Sequence, residues 1–354
     1  MPQSFHTSDR DVVRIWRRAA IRICAHSCGP ARTDAPPRSH RCHPTATFCF
    51  FAVAILIMAG VGFSAGSVPV DAPLQVREVA AGVFVYFGVD ELMTAENEGA
   101  IANIGFVVGD DSVAVIDTGG SAREGRRLLA AIRNVTAKPI RYVINTHAHP
   151  DHVFGNAAFA SEAAVFVGHR NLPRALALRG RYYLEAFGRS MGDVLGGVEL
   201  IAPHQLVDDE VKINLGNRTL TLRAWAAAHS DSDLTVLDDA AQTLFAGDLV
   251  FLRHIPVVDA SLRGWLSAID ALAGIPARQV VPGHGPMAEW PLALSGERRY
   301  LEGLARDCRA LIASGASLAQ AAATAGVSEK PQWKLFEEYN ARNATAAFVE
   351  LEWE

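Results

Sequence analysis

Two successive blocks of short strands, each closed by helical sequence, predict an α/β fold arranged as an αββα four-layer sandwich, with two sheets face to face and helices outside. Three observations carry this. Runs of β-branched and aromatic residues bounded by Gly, Asp and Asn recur from about Leu74 onwards in both halves of the body. Helical stretches follow the strands of each half. No low-complexity linker separates the halves, so residues 71–354 read as one domain.

The elements follow in order. Gln75–Val79 and Val83–Phe87 read as strands around Ala81-Gly82. Ile104–Val108 and Ser112–Ile116 flank Gly109-Asp110-Asp111, a hairpin signal whose turn residues tolerate positive φ. Ala122–Val135 reads as a helix, and Ile140–Asn145 as a β-branched strand that ends at a His-rich loop. In the second half, Val211–Leu215 and Thr219–Trp225 make a hairpin over Gly216-Asn217, followed by short strands at Leu234–Leu237 and Thr243–Ala246. Ser261 caps a helix that runs to Ala273, and Gln279-Val-Val leads into Pro282-Gly-His-Gly. Leu292–Ala313, Leu318–Ala325 and Gln332–Tyr339 read as helices, a C-terminal cap over about 290–354.

The first seventy residues differ from the body. Their basic residues are all Arg, and the first lysine of the chain is Lys138. The apolar run 48–63 is shorter than the roughly 20 residues a membrane helix needs. Arg38 and Arg41 precede it and small residues Ser64-Ala-Gly-Ser follow, the pattern of a signal peptide or an N-terminal membrane anchor. Residues 1–70 are therefore read as an export leader, and membrane contact is expected only through it, if it stays uncleaved. Of five cysteines only Cys308 lies beyond this segment, so the body does not depend on an internal disulfide. Cys24, Cys28, Cys42 and His43 fit no common zinc-finger spacing. A net charge of -5, with half the residues hydrophobic and a fifth charged, describes a folded globular chain without a basic face for nucleic acid.

Chemistry concentrates in Tyr142-Val-Ile-Asn-Thr-His-Ala-His-Pro-Asp-His152, where a strand runs into a loop carrying three imidazoles and a carboxylate. His147 and His149 can converge on one cation, and Asp151 and His152 on a second beside it. These are zinc-accepting donors, and one ion needs fewer than the loop supplies. The alternative, a solvated polar loop, does not account for so many histidines at this spacing.

His147-x-His149-x-Asp151-His152 resembles the signature of the metallo-β-lactamase superfamily, and the later motifs follow in that family's order. Ala228-His229-Ser-Asp-Ser-Asp-Leu, Leu244-Phe-Ala-Gly-Asp248 and Val281-Pro-Gly-His284-Gly resemble its remaining ligand segments. The resemblance implies the αββα fold and two metal ions, taken as zinc with iron or manganese as alternatives. It implies His147, His149 and His229 on the first ion, Asp151, His152 and His284 on the second, and Asp248 touching both. Asp117, in Ala114-Val-Ile-Asp-Thr-Gly-Gly120, matches a family Asp that orders the metal loop without being a ligand. The commonest true β-lactamases have Cys where this chain has Asp248, which points to the broader hydrolases rather than to an antibiotic substrate.

A finer resemblance runs through Asn103-Ile-Gly-Phe-Val-Val-Gly, Pro150–Phe159, Gly247-Asp-Leu-Val-Phe, Ser261-Leu-Arg-Gly-Trp and the tail from Phe336. These segments resemble the exported, SoxH-like quinoprotein relay system zinc metallohydrolases. That implies a periplasmic address, a small-molecule substrate, and a periplasmic quinoprotein dehydrogenase as a candidate partner. The expected reaction is hydrolysis of an ester, thioester, lactone or amide-like bond by hydroxide held between the metals, with Asp151 as catalytic proton carrier. Two competing readings are an iron-dependent persulfide dioxygenase-like oxidoreductase and a non-catalytic partner of a quinoprotein dehydrogenase. His254, six residues after Asp248, is a candidate substrate contact, against a loop histidine bonded to backbone. Tyr182, Tyr183, Phe187 and Met191 read as helical core packing rather than pocket wall. His169 and His204 are placed in loops outside the site. Asp208, Asp231, Asp233, Asp238 and Asp239 are placed in turns and caps.

Overall fold

The computed structural model describes residues 72–354. The expectations for the leader, its apolar run and the four N-terminal cysteines fall outside the described residues.

The first sheet is a chain-ordered ladder of β1 (Arg77–Ala80), β2 (Val83–Tyr86), β3 (Ile104–Val108), β4 (Val113–Ile116), β5 (Ile140–Asn145), β6 (Val165–His169) and β7 (Gln205–Val207). Its first four strands are antiparallel and the rest add in parallel. The second sheet holds β8 (Glu210–Asn214), β9 (Thr219–Ala224), β10 (Leu234–Asp238), β11 (Thr243–Phe251), β12 (Gln279–His284) and β13 (Ala288–Glu289), ordered 13-12-11-10-9-8. Only β11 and β12 pair in parallel there.

Strand periodicity sends alternate side chains to opposite faces, and the layers follow from that. In β4, Ala114 and Ile116 join Val107, Ile144, Leu222, Val236, Phe245 and Val281 between the sheets. Val113 and Val115 of the same strand turn outward to Leu128 and Ile132 of α1 (Ala122–Val135). The outer face of the second sheet packs against α4 (Leu262–Ala273), α5 (Leu294–Ala313) and α7 (Phe336–Leu351), around Trp265, Tyr300, Leu304 and Phe348. This is the expected αββα sandwich. The Ser261 cap forms, accepting from Gly264 N, and Ser121 caps α1 in the same way by accepting from Glu124 N.

Two expectations change. The helix read over Gln332–Tyr339 is instead a 3₁₀ turn at Val327–Gln332, a break, and then α7. Pro331 cannot continue the hydrogen-bond ladder, Lys334 N donates to Arg253 O, and Leu335 enters α7 with φ +56°. His169 ends β6 rather than lying in a loop. The long α3 (Leu172–Met191) follows it, after the one-turn α2 (Pro150–Val153), and α6 (Leu318–Thr324) sits before the break. Among the described residues, no helix is long and apolar enough to cross a membrane.

Candidate metal centre

The centre forms where both sheets deliver their strand ends. Asp117 follows β4 with φ +55°, a strained turn that points its carboxylate under the loop after β5. Its Oδ1 accepts from Thr146 N (2.8 Å), and its Oδ2 accepts from Thr146 Oγ1 (2.7 Å) and His152 Nδ1 (2.8 Å). Asp248 stands within β11, His284 ends β12, and His229 lies in the turn before β10.

The donor atoms fall into two groups. His147, His149, His229 and Asp248 form one, and Asp151, His152 and His284 the other. In the first, His149 Nδ1 is 3.0 Å from His147 Nε2 and 2.9 Å from His229 Nε2. Asp248 Oδ2 is 3.7 and 3.4 Å from those two Nε2 atoms. In the second, Asp151 Oδ2 lies 3.6 Å from His152 Nε2 and 3.2 Å from His284 Nε2. Asp248 Oδ1 is 3.2 and 3.5 Å from the same nitrogens. Donors about 2.0–2.1 Å from a tetrahedral ion stand about 3.3 Å apart, so both groups have the right size.

Two further observations fit a pair of cations. His152 Nε2 and Asp248 Oδ1 are buried without any hydrogen-bond partner, a cost that a coordinated ion removes. The second nitrogen of every histidine is also committed. His147 Nδ1 donates to Thr146 Oγ1 (3.1 Å), His149 Nε2 to Asp259 Oδ2 (3.2 Å), His229 Nδ1 to Val257 O (2.8 Å) and His284 Nδ1 to Ile101 O (3.0 Å). With Asp117 on His152, each ring is fixed in the tautomer that leaves the inward nitrogen free to coordinate. Gly283 makes room for the shared carboxylate: a Cβ there would lie 1.9 Å from Asp248 Oδ1.

On the protein alone, the electrostatics of the two groups differ. Burial, reinforced by the neighbouring imidazoles, holds His147 well below the usual histidine range. Burial also takes His229 down to about 3. Burial opposes charge on His284 too, but Asp248 and Asp151 outweigh it and lift the ring to about 10. Asp151 is pulled down to about 2 by His152 and His284, against its own burial. On the protein alone His284 thus keeps its proton where His147 and His229 stay neutral, so loading a cation at the second group expels that proton.

All seven residues expected as ligands converge, and Asp117 sits where the loop is ordered. His254 requires a correction. Its side chain is buried, its Nδ1 donates to Ile255 O (2.6 Å), and its ring lies 4.9 Å from that of His284 and 5.2 Å from Tyr339. It is the histidine bonded to backbone, packed beside a candidate ligand. Tyr183 packs against the Phe154, Leu172 and Leu176 cluster, as the core reading expects, and its ring also stands 6.0 Å from His149, edge to face, while Tyr182 is exposed. Phe187 and Met191 do pack inward, with Met93 and Ile101. Asp238 is more than a turn residue, being fully buried and paired with Arg218.

Sequence reasoning missed Asp259. Its backbone N–H donates to His229 O (3.1 Å) and its carboxylate accepts from His149, Arg179 and Arg342. No local signal marks it.

Comparison with known proteins agrees with this architecture. A linear primary-alkylsulfatase of Pseudomonas sp. is 41% identical over 146 residues, 41% of this chain, and the match spans only 27% of the sulfatase. A solved stereoselective inverting sec-alkylsulfatase from Pseudomonas sp. shares 18% identity with a TM-score of 0.61, covering 77% of this chain and 49% of its own. The metallo-beta-lactamase from Pontibacter korlensis shares 20% identity with a TM-score of 0.54, covering 65% of this chain and 99% of its own. Those two structural likenesses speak to the fold alone. The description of the metallo-beta-lactamase superfamily matches residues 98–284, more than half of the sequence, from the loop beside the second donor group to its final histidine. With that match running through all seven convergent donors, the chain belongs to the metallo-beta-lactamase superfamily.

Proposed function

We propose that the protein is a two-metal hydrolase, holding zinc, that cleaves an ester, thioester, lactone or amide-like bond of a small molecule. The partial likeness to an alkylsulfatase adds sulfate esters to that set. The observation that carries the reading is the division of Asp248, whose Oδ2 faces the first donor group and whose Oδ1 faces the second. Cations so held acidify water towards neutral pKa and polarise a scissile oxygen. His147, His149 and His229 hold the first position, and Asp151, His152 and His284 the second. Asp151 also steers the attacking water and passes a proton to the leaving atom. Asp117, Thr146 and Asp259 keep the imidazoles aligned.

The same proposal puts the chain in the periplasm, in quinoprotein or sulfur metabolism, with a quinoprotein dehydrogenase as partner. The apolar run 48–63 behind Arg38 and Arg41 and the segment resemblances support it.

The test is metal analysis of the purified protein with a panel of esters, thioesters, lactones, β-lactams and alkyl sulfates. Two zinc ions per chain and turnover of at least one class are expected, with His147→Ala and His229→Ala losing metal and at least about a hundredfold in turnover. A single iron with oxygen consumption on glutathione persulfide would overturn the hydrolase reading.

A further inference from the structure

The route by which solvent reaches the donor groups is marked by the least buried donor. His149 retains 15% side-chain exposure, against 1% for His147 and His229. What surrounds His149 therefore borders the mouth of the site. Its Nε2 meets Asp259, its ring meets Tyr183, and Asp259 in turn holds Arg179 from α3 and Arg342 from α7.

The charge balance of this group is uneven. One carboxylate, itself only 10% exposed, faces two guanidiniums, so one positive charge stays uncompensated. The Arg179 and Arg342 side chains are 50% and 43% exposed. Each reaches Asp259 through a single terminal nitrogen, Arg179 through Nη1 and Arg342 through Nη2. A guanidinium carries five N–H donors in a planar fork suited to carboxylate, sulfate and phosphate oxygens, and each of these two half-exposed side chains places one donor on Asp259. Asp259 fixes the forks from behind, so little side-chain entropy remains to be lost on binding.

We propose that Arg179 and Arg342 form an oxyanion-recognition subsite, and that the substrate carries an anionic group at some distance from its scissile bond. This rests on the hydrolase reading above and names its substrate class. The spacing between the anion and the reacting bond is one imidazole ring plus one carboxylate, the path from the first donor group through His149 and Asp259 to the guanidiniums. Tyr183 lines the gap between them. Arg342 makes the C-terminal helix part of the substrate site rather than a distant cap.

The experiment compares three p-nitrophenyl esters that share one acyl linker and end in a carboxylate, a sulfonate or a methyl group. They are assayed on the metal-loaded full chain and on Arg179→Gln, Arg342→Gln and the double variant. Arg309→Gln, in a surface pair with Glu354, is the control. The expected readout is a ratio: kcat/KM for the anionic esters over the methyl ester falls at least about tenfold in each variant, chiefly through KM. The carboxylate and sulfonate arms show which oxyanion is preferred. A purely structural role, acting through Asp259 on His149, lowers all three esters together and would overturn the proposal. So would a wild-type enzyme with no preference for the anionic esters.

If wild type cleaves none of the three, the hydrolase reading is tested by the wider panel, and the subsite is decided by titration of the metal-loaded chain. Glutarate should then bind at least about tenfold more tightly than butyrate, and lose that margin in the double variant. Equal binding of the two acids would refute the subsite.

Discussion

Gly283→Ala perturbs the seat of the shared carboxylate without replacing a ligand. The backbone at Gly283 lies outside the left-handed region, so any residue can adopt it and only space is at issue. An added Cβ would stand 1.9 Å from Asp248 Oδ1, 2.9 Å from Asp248 N and 2.8 Å from the carbonyl carbon of Gly247. A carbon–oxygen contact needs about 3.3 Å. The carboxylate must then retreat by more than about 1 Å, whereas a metal–ligand bond tolerates about 0.2 Å. Because the carboxylate is rigid and planar, both oxygens move, and both donor groups lose an edge. The expected result is no more than one tightly held metal per chain after desalting, with turnover lower by about a hundredfold. Metal analysis and steady-state kinetics read this directly. Gly188→Ala serves as the control, since a Cβ there meets nothing within 4 Å and the position is inside α3. That control should keep its metals and gain up to about 1 kcal/mol of helix stability. A Gly283→Ala protein with two metals and wild-type turnover would refute the reasoning that this glycine exists to seat Asp248.

Asp117→Asn should weaken metal affinity about ten- to a hundredfold, because one of the oxygens that orient Thr146 and His152 becomes an amide donor; competition with a chelator checks it. Arg218→Met strands the fully buried Asp238, whose Oδ1 now accepts from Arg218 Nε at 2.9 Å. A loss of about 3–5 kcal/mol is expected in denaturant unfolding. Glu124, in the first turn of α1, is pushed by burial from its ordinary 4.5 up to about 8, with Gly120 N donating to Oε2 and Oε1 left without a partner. Between those two values the folded chain binds the proton that the unfolded chain has released. Stability must therefore fall as pH rises through that window, by up to about 1.4 kcal/mol per pH unit. Glu124→Gln should flatten that slope, and parallel pH profiles of wild type and variant would refute it.

The layers of the fold were legible because local signals agree with tertiary need. In β4 the hydrophobic run marks a strand buried on both faces, and Ser261 starts its helix by a side-chain cap visible in sequence. The donors were legible for a related reason. Metal chemistry restricts the side chains to imidazole and carboxylate, and strand ends concentrate them in short motifs. The supports of those donors were largely illegible. His229 and His284 are oriented by the carbonyls of Val257 and Ile101, which any residue type would supply. Asp259 meets His149 across 110 positions and Arg179 and Arg342 across 80 and 83, beyond any periodic signal. Tyr183 and Phe187 share one helical spacing and both pack on core clusters, yet Tyr183 also borders a donor. Periodicity gives a face, and the opposing surface decides its use.

The C-terminal helix carries this argument furthest. From sequence it is an appended cap starting at Gln332; in the structure it starts at Phe336, because the break after Pro331 is set by pairing of the next residues with the segment after β11. In the fold, Asn343 accepts from Val258 N (2.9 Å) and donates to Pro256 O (2.6 Å), while Arg342 grips Asp259. The stretch so held, Pro256–Asp259, contains the Val257 carbonyl that orients His229 and the carboxylate that orients His149. Two of the three imidazoles of the first donor group thus owe their direction to a loop clamped by the last helix. A metal centre built this way cannot treat the C-terminal helix as dispensable: the helix fixes the loop, the loop fixes the tautomers, and the tautomers leave the inward nitrogens able to bind metal.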